Sequence, residues 1–355
     1  NLTVRLEYVW LDGHDSKNLR SKVRYENWTM DSTQGNMSRE QVLHRIPQWS
    51  YDGSSTQQAN TKNSDVILEP VKVYNNPLEL GEMASFIVLC ETLNTDGTPH
   101  ESNTRDKLLD AIEEYDPKKK IVFGVEQEYT ILDDQNLPVG WNKDKTQGTN
   151  YCGIGSNNTT NRLLVEQHAV ACIQANIQIA GTNAEVLMSQ WEYQLEPSNA
   201  IDQADDLWMS RYILQRLSEN SKGYISFHPK PVEGDWNGAG AHINFSTEHM
   251  REVGGEEHMK DICSALKKGH KNLIAVYGEE NEKRLTGTCE TSHIDKFSYG
   301  VGDRSSSVRI PVSTSQDYRG HLEDRRPAAN VDPYEAFSVL ISTVSSVSVP
   351  EAVKL

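Results

Sequence analysis

The sequence predicts an α+β chain, with a small β-rich N-terminal part and a larger part in which helices and strands mix. Three observations predict it. Residues 2–10 alternate apolar and polar as a strand does, residues 92–103 are polar and rich in turn formers, and helical periodicity appears only beyond them. At 355 residues the chain exceeds one ordinary small core, so two domains are expected, over residues 1–95 and 104–355.

Along the first part, LTVRLEYVW sets Val4, Leu6, Tyr8 and Trp10 against Arg5, Glu7 and Val9, the pattern of a half-buried strand. SKVRYENW reads as a second strand, and IPQWSYDGSSTQQAN mixes strand with turn. Helices are expected over 104–115, stopping before Pro117, and over 160–179, ending at Gly181. The second of these carries Leu163, Leu164, Gln167, Ala171 and Ile173 in its pattern. Further helices are expected over 201–219 and 256–276. Asp332 before Pro333 reads as the cap and first residue of a last helix near 333–346.

Composition excludes several classes. A hydrophobic share of 36% supports a folded core, and a net charge of -16 argues against a broad nucleic-acid surface. It leaves room for a nucleotide held by local arginines and metal. The five cysteines are widely spaced with no C-x-x-C, which argues against a disulfide framework or a zinc site and suits a reducing compartment. No apolar run reaches the roughly 18 residues of a membrane span. A cytoplasmic location is expected, or an organelle such as a plastid or mitochondrion if a targeting segment has been removed.

Four stretches carry chemistry. In KKKIVFGVEQEYTIL, residues 118–132, Ile121, Phe123, Val125, Tyr129 and Ile131 share one strand face, and Glu126 and Glu128 project from the other. Neighbouring carboxylates repel; a hard divalent cation removes the repulsion, and magnesium prefers oxygen ligands. The same spacing fits the solvated face of an edge strand. GTNAEVLMSQWEYQLEP, residues 181–197, sets Glu185 and Glu192 among apolar residues; in β structure a turn must separate them if they share a site. Two unrelated surface carboxylates fit equally.

In GDWNGAGAHINFST, residues 234–247, His242, Asn244 and Ser246 form a polar face opposite Ile243 and Phe245. A neutral histidine is a good metal ligand, although hydrogen bonding alone often accounts for one. Asn237, Gly238 and Gly240 precede it in a loop that admits close approach. GDRSSSVRIP supplies Arg304 and Arg309, and HLEDRRP supplies Glu323, Arg325 and Arg326. Their forked donors suit phosphate or carboxylate, with surface ion pairing as the alternative. Together, a glutamate-rich metal site and several arginines describe phosphoryl transfer.

In family order, WSYDGSST, FGVEQEYT, GTNAEV, QWEYQ, GDWNGAGAH, NFST, RLTG-x-x-ET, R-SSSVRIP and EDRRPAAN resemble the eukaryote-type (type II) glutamine synthetases. The resemblance runs from EYVWLDG at 7–13 to DRRPAANVDPY at 324–334. It implies a β-grasp-like N-terminal domain and a catalytic domain with a curved antiparallel sheet flanked by helices. It implies a homo-oligomer of two stacked pentamers with active sites between subunits. The implied substrates are L-glutamate, ammonium and ATP, with two to three Mg2+ or Mn2+ per site.

The resemblance also implies residue roles. Glu128, Glu185 and Glu192 match ligands of the metal nearer glutamate, and Glu126, His242 and Glu323 those of the metals nearer the ATP phosphates. Glu126, Glu192, Asn244, Ser246, Arg304, Arg309 and His321 fall at nucleotide positions. Ser55, Trp236, Asn237, Gly238, Arg284, Arg304 and Arg325 fall at substrate positions. Asp52 matches the base that takes the ammonium proton, Glu290 the flap over the acyl phosphate, and Arg304 a catalytic arginine. The chain departs from the family pattern at Val122, Glu196, Cys289, where a histidine is common, and His321, where a tyrosine is.

Overall fold

The structure, a computed structural model, describes residues 2–29, 37–78, 81, 83–114, 120–144 and 146–348. Strand β1 (Leu2–Leu11) turns back into β2 (Leu19–Trp28). The turn is tied by buried Asp12, which accepts from the Asn18 amide and the Arg20 guanidinium. A short helix α1 (Arg39–Leu43), capped by Ser38, leads to β3 (Trp49–Asp52), β4 (Asp65–Asn75) and β5 (Ala84–Leu93). The sheet order is β2-β1-β5-β4-β3, with β1 and β5 parallel at its centre. Val4, Leu6, Tyr8 and Trp10 bury one face of β1 together with Val66, Leu68 and, from α1, Val42.

The chain continues through α2 (Thr104–Glu114), β6 (Val122–Leu132), α3 (Arg162–Gln174), β7 (Ile179–Ala184), β8 (Gln190–Leu195) and α4 (Ala200–Ser218). Then follow β9 (Tyr224–Ser226), β10 (Ala241–Ser246), α5 (Gly255–Lys268), α6 (His270–Ile274), β11 (Tyr299–Val301), β12 (Val308–Ile310), α7 (Val312–Asp317), β13 (Leu322–Asp324) and α8 (Pro333–Ser345). The second sheet has the order β11-β12-β13-β10-β6-β8-β7, with β9 beside β6. Its pairs are antiparallel except β11 with β12. Phe123, Val125, Tyr129 and Ile131 of β6 and Ile243 and Phe245 of β10 enter a core shared with α3, α4, α5 and α8. Phe337 of α8 stacks on Phe123 at 4.2 Å. One sheet face is therefore core, and the other is free to carry polar groups. Among the described residues, no helix is long and apolar enough to cross a membrane.

The expected α+β architecture is found, with local corrections. β1 is not half-buried: Val9 joins the main core, and Glu7, 1% exposed, is bound by Tyr212 and Arg216 of α4. Which face of a strand meets solvent depends on what packs there, and here α4 packs on the second face. The helix expected over 160–179 stops at Gln174, where Asn176 turns left-handed at φ 71° and residues 179–184 pair as β7 instead. It buries Leu164, Val165, His168 and Ala171, leaving Leu163 and Ile173 exposed. The helix expected over 256–276 breaks at Gly269 into α5 and α6. The capped last helix is as expected, with Asp332 accepting from the Tyr334 amide at 3.0 Å. The expected stop at Pro117 and residues 349–355 lie outside the described residues.

Candidate active site

Residues directly opposite one another in an antiparallel pair share a sheet face. In this register Glu192 of β8 lies opposite Glu128 of β6, and Glu126 of β6 opposite His242 of β10. Asn244 of β10 lies opposite Glu323 of β13, and Glu323 opposite Arg309 of β12. A polar row thus crosses five adjacent strands on the face away from the core. β6 sits between β10 and β8, so the edge-strand reading of its two carboxylates is wrong. Glu185 and Glu192 are separated by the required turn: β7 ends at Ala184, and the Glu185 amide donates to Gln190 O at 2.8 Å.

The row is held by short contacts. Glu126 accepts from Asn244 at 2.8 Å and lies 3.3 Å from His242 Nδ1. Glu323 lies 3.5 Å from the same nitrogen and accepts from Arg325 at 2.6 Å and Arg309 at 2.8 Å. Glu128 accepts from the Gly240 amide at 2.6 Å. Asn183 donates to Glu185 at 2.9 Å, and Gln194 donates to Glu192. These two amides were not anticipated; each stands two residues from its carboxylate, a same-face spacing that was available as a signal.

Two groups of donor atoms converge within 4.8 Å: Glu126, His242 and Glu323, and Glu128, Glu192 and His242. Glu185 stands outside both groups. Burial, and then the charge of Glu128, pushes the Glu185 carboxyl up to about 8. Burial and the charges of Glu128, Glu126 and Glu185 push Glu192 up to about 9. At Glu126 burial acts the same way, but His242 and Asn244 outweigh it and hold the carboxyl well below the usual range. Buried carboxylates that repel one another, with an imidazole among them, suit a hard divalent cation, which replaces protons with charge.

Beside the row opens a cleft of about 450 Å³ lined by Val122, Gly124, Pro197, Phe245, Ser246 and His321, with Asn244 and Glu126 at its edge. That volume is in the range of small-molecule sites. Arg251, also unanticipated, donates to Ser246 Oγ at 2.8 Å. Burial pushes the His321 imidazole pKa down, against the pull of Glu323 and Glu126.

On the other side, Trp236 packs edge-on to Trp141 at 4.6 Å, and the Asn237 amide donates to Gln147 Oε1 at 2.6 Å. A side chain at Gly238 would meet Pro229 O at 2.3 Å and Arg284 Cγ at 2.8 Å, which explains the glycine. Arg284 is buried; it donates to Arg325 O at 3.0 Å and lies 3.4 Å from His242 Nε2. Glu290 stands exposed on the loop after Gly287, 3.5 Å from Asn237 Nδ2. Arg304 is also exposed, its carbonyl accepting from Arg325 Nε at 3.2 Å. Asp52 ends β3 of the first sheet and Ser55 lies in the helical turn Gly53–Thr56 that follows, where Asp52 accepts from Ser54 at 2.6 Å and Ser55 at 3.2 Å. These bonds stay within their own loop.

Fold and site together define an α+β protein whose buried row of carboxylates and imidazole suits a divalent metal. Residues 102–346 match the family model described as glutamine synthetase, catalytic domain. The glutamine synthetase of Yarrowia lipolytica is 46% identical over 355 residues, covering 98% of this chain and 92% of the relative. That of Emericella nidulans is 44% identical over 345 residues, covering 96% and 92%. The Drosophila melanogaster protein named glutamine synthetase 1, mitochondrial, is 44% identical over 350 residues, covering 96% and 84%. The chain belongs to the glutamine synthetase family.

Proposed function

We propose that the sheet row and its flanking loops divide one reaction between them. The chain is a glutamate–ammonia ligase that makes glutamine using ATP and a divalent metal. The observation that carries the assignment of residues is the register that lines up Glu192, Glu128, Glu126, His242, Glu323 and Arg309 on one face.

A carboxylate cannot expel oxide, so ammonia needs an activated carboxyl. Transfer of the ATP γ-phosphoryl group to glutamate gives a γ-glutamyl phosphate, and ammonia then displaces phosphate. Divalent cations, assigned as two to three Mg2+ or Mn2+, would supply charge neutralisation for the transferring phosphoryl group. Glu128, Glu185 and Glu192 would hold the one nearer glutamate, and Glu126, His242 and Glu323 the others. Arg304, Arg309 and Arg325 stabilise the transferring phosphate through forked donors. Asn244, Ser246 and His321 hold ATP in the cleft beside Glu126 and Glu192. Trp236, Asn237, Gly238, Arg284 and Arg325 orient glutamate.

Asp52 takes the ammonium proton with Ser55 beside it, and Glu290 shields the acyl phosphate from water. Asp52 lies in the proposed first domain, residues 1–95, and the metal row in the second, residues 104–355. Its exposed loop is available to a neighbouring subunit, which supports sites shared across a ring, assigned as two stacked pentamers. All five cysteines are free, which fits a reducing compartment such as the cytoplasm or an organelle interior. The test is ADP release with glutamate and ammonium each withheld in turn. Full release is expected only with both present; unchanged release without glutamate contradicts the reading.

A further inference from the structure

Gln127 lies between Glu126 and Glu128 on β6 and points to the opposite face, fully buried. Its amide uses all four hydrogen-bonding positions. Nε2 donates to Glu128 O at 2.7 Å and Ala329 O at 3.0 Å; Oε1 accepts from Arg211 Nε at 2.9 Å and Nη2 at 2.7 Å. Arg211 of α4, 1% exposed, also donates to Val331 O at 2.8 Å and Ala329 O at 3.1 Å. Its guanidinium sits over Trp208 at 4.7 Å and Phe227 at 5.4 Å. Every hydrogen bond that it makes among the described residues goes to a neutral oxygen. A buried cation with no bonded counter-ion is costly, and an apolar pair of similar volume would serve packing better.

The ends of this network show what it fixes. The Glu128 amide donates to Gly240 O at 3.0 Å, and the Gly240 amide returns to the Glu128 carboxylate at 2.6 Å. The Ala329 amide donates to Ala239 O at 3.1 Å. One amide and one guanidinium therefore tie Glu128 of β6 to residues 329–331 following Glu323, and bonds from Glu128 and the Ala329 amide carry the tie on to the 239–240 loop ahead of His242. A planar fork reaches one amide oxygen and two carbonyls at once, which an ammonium does not do as a fixed geometry.

We infer that Gln127 and Arg211 are positioning residues that set the spacing of the metal carboxylates from behind the sheet. The inference rests on the metal assignment above. Two variants test it on the full chain: Gln127→Glu, which keeps a partner for Arg211 but loses both amide donors, and the double variant Gln127→Met with Arg211→Met, which fills the space without charge. The readouts are Mn2+ binding followed by electron paramagnetic resonance and the melting temperature in chelator. Glu128→Gln is the control for the metal assignment.

Mn2+ affinity is expected to fall roughly 10–100-fold in both variants, the usual effect of losing an outer partner, with cooperative melting retained. Binding within twofold of the parent, while Glu128→Gln loses Mn2+, overturns the positioning role and leaves the metal assignment standing. Parent-like binding in Glu128→Gln overturns the metal assignment and the inference with it. Loss of cooperative melting in both variants would make the pair purely structural and likewise overturn it.

Discussion

Glu290 and Glu128 are both carboxylates near the sheet face, and their surroundings give them different work. Glu128 is buried and held by the Gly240 amide, whereas Glu290 is exposed on a loop with positive φ at both Cys289 and Glu290. Glu128→Ala should weaken metal dependence by more than the roughly 10–100-fold that loss of an outer partner causes. A metal titration of activity that does not move removes Glu128 from the site. If the sheet row performs phosphoryl transfer as proposed, Glu290→Ala should leave that step running while glutamine formation falls by roughly 10²–10⁴-fold. The exposed acyl phosphate is then lost to water or to cyclisation by the substrate's own amine. The ratio of ADP released to glutamine formed should rise well above one; a ratio that stays at one places Glu290 in the phosphoryl step.

Helix α3 shows how an element with one face in the core makes stability depend on pH. His168 is buried between α3 and α4, with Nε2 at 2.9 Å from Ser210 O and 3.2 Å from the Cys172 thiol. Burial pushes its pKa down to about 4, below the ordinary 6.5. As pH falls from 6.5 towards 4, the unfolded chain takes a proton that the folded one refuses, so stability falls across that window. His168→Gln, which stays neutral, should flatten the decline of melting temperature between pH 6.5 and 4.5; equal slopes in parent and variant would contradict this. The same helix marks the limit of the sequence pattern. Apolar residues continue past Gln174 into β7, so periodicity could not place the break that a left-handed Asn176 makes. Within β6 the alternation was fully legible, because one face is core and the other is not. The pairing of strands was not, since register is set between distant segments. Spacing alone therefore could not say that Glu126 faces His242 while Glu128 faces Glu192. Those partnerships were available only through family resemblance, and the orienting amides Asn183 and Gln194 escaped notice.

At the scale of the whole molecule, the proposed ring divides each site between the first sheet of one subunit and the second sheet of its neighbour. Asp52→Ala and Glu128→Gln subunits should each be nearly inactive alone. Co-assembled in equal amounts, they should regain activity at about a quarter of the sites, by random mixing in a symmetric ring. No regain on mixing would place both residues in one subunit's own site. The central claim is that the metal row activates the glutamate side chain as an acyl phosphate. It is tested most directly with glutamate carrying oxygen-18 in its γ-carboxylate. If that carboxylate attacks the ATP γ-phosphorus and ammonia then displaces phosphate, the phosphate released must carry one labelled oxygen for each glutamine made. Unlabelled phosphate, with the oxygen lost from the carboxylate recovered as labelled water, would contradict it.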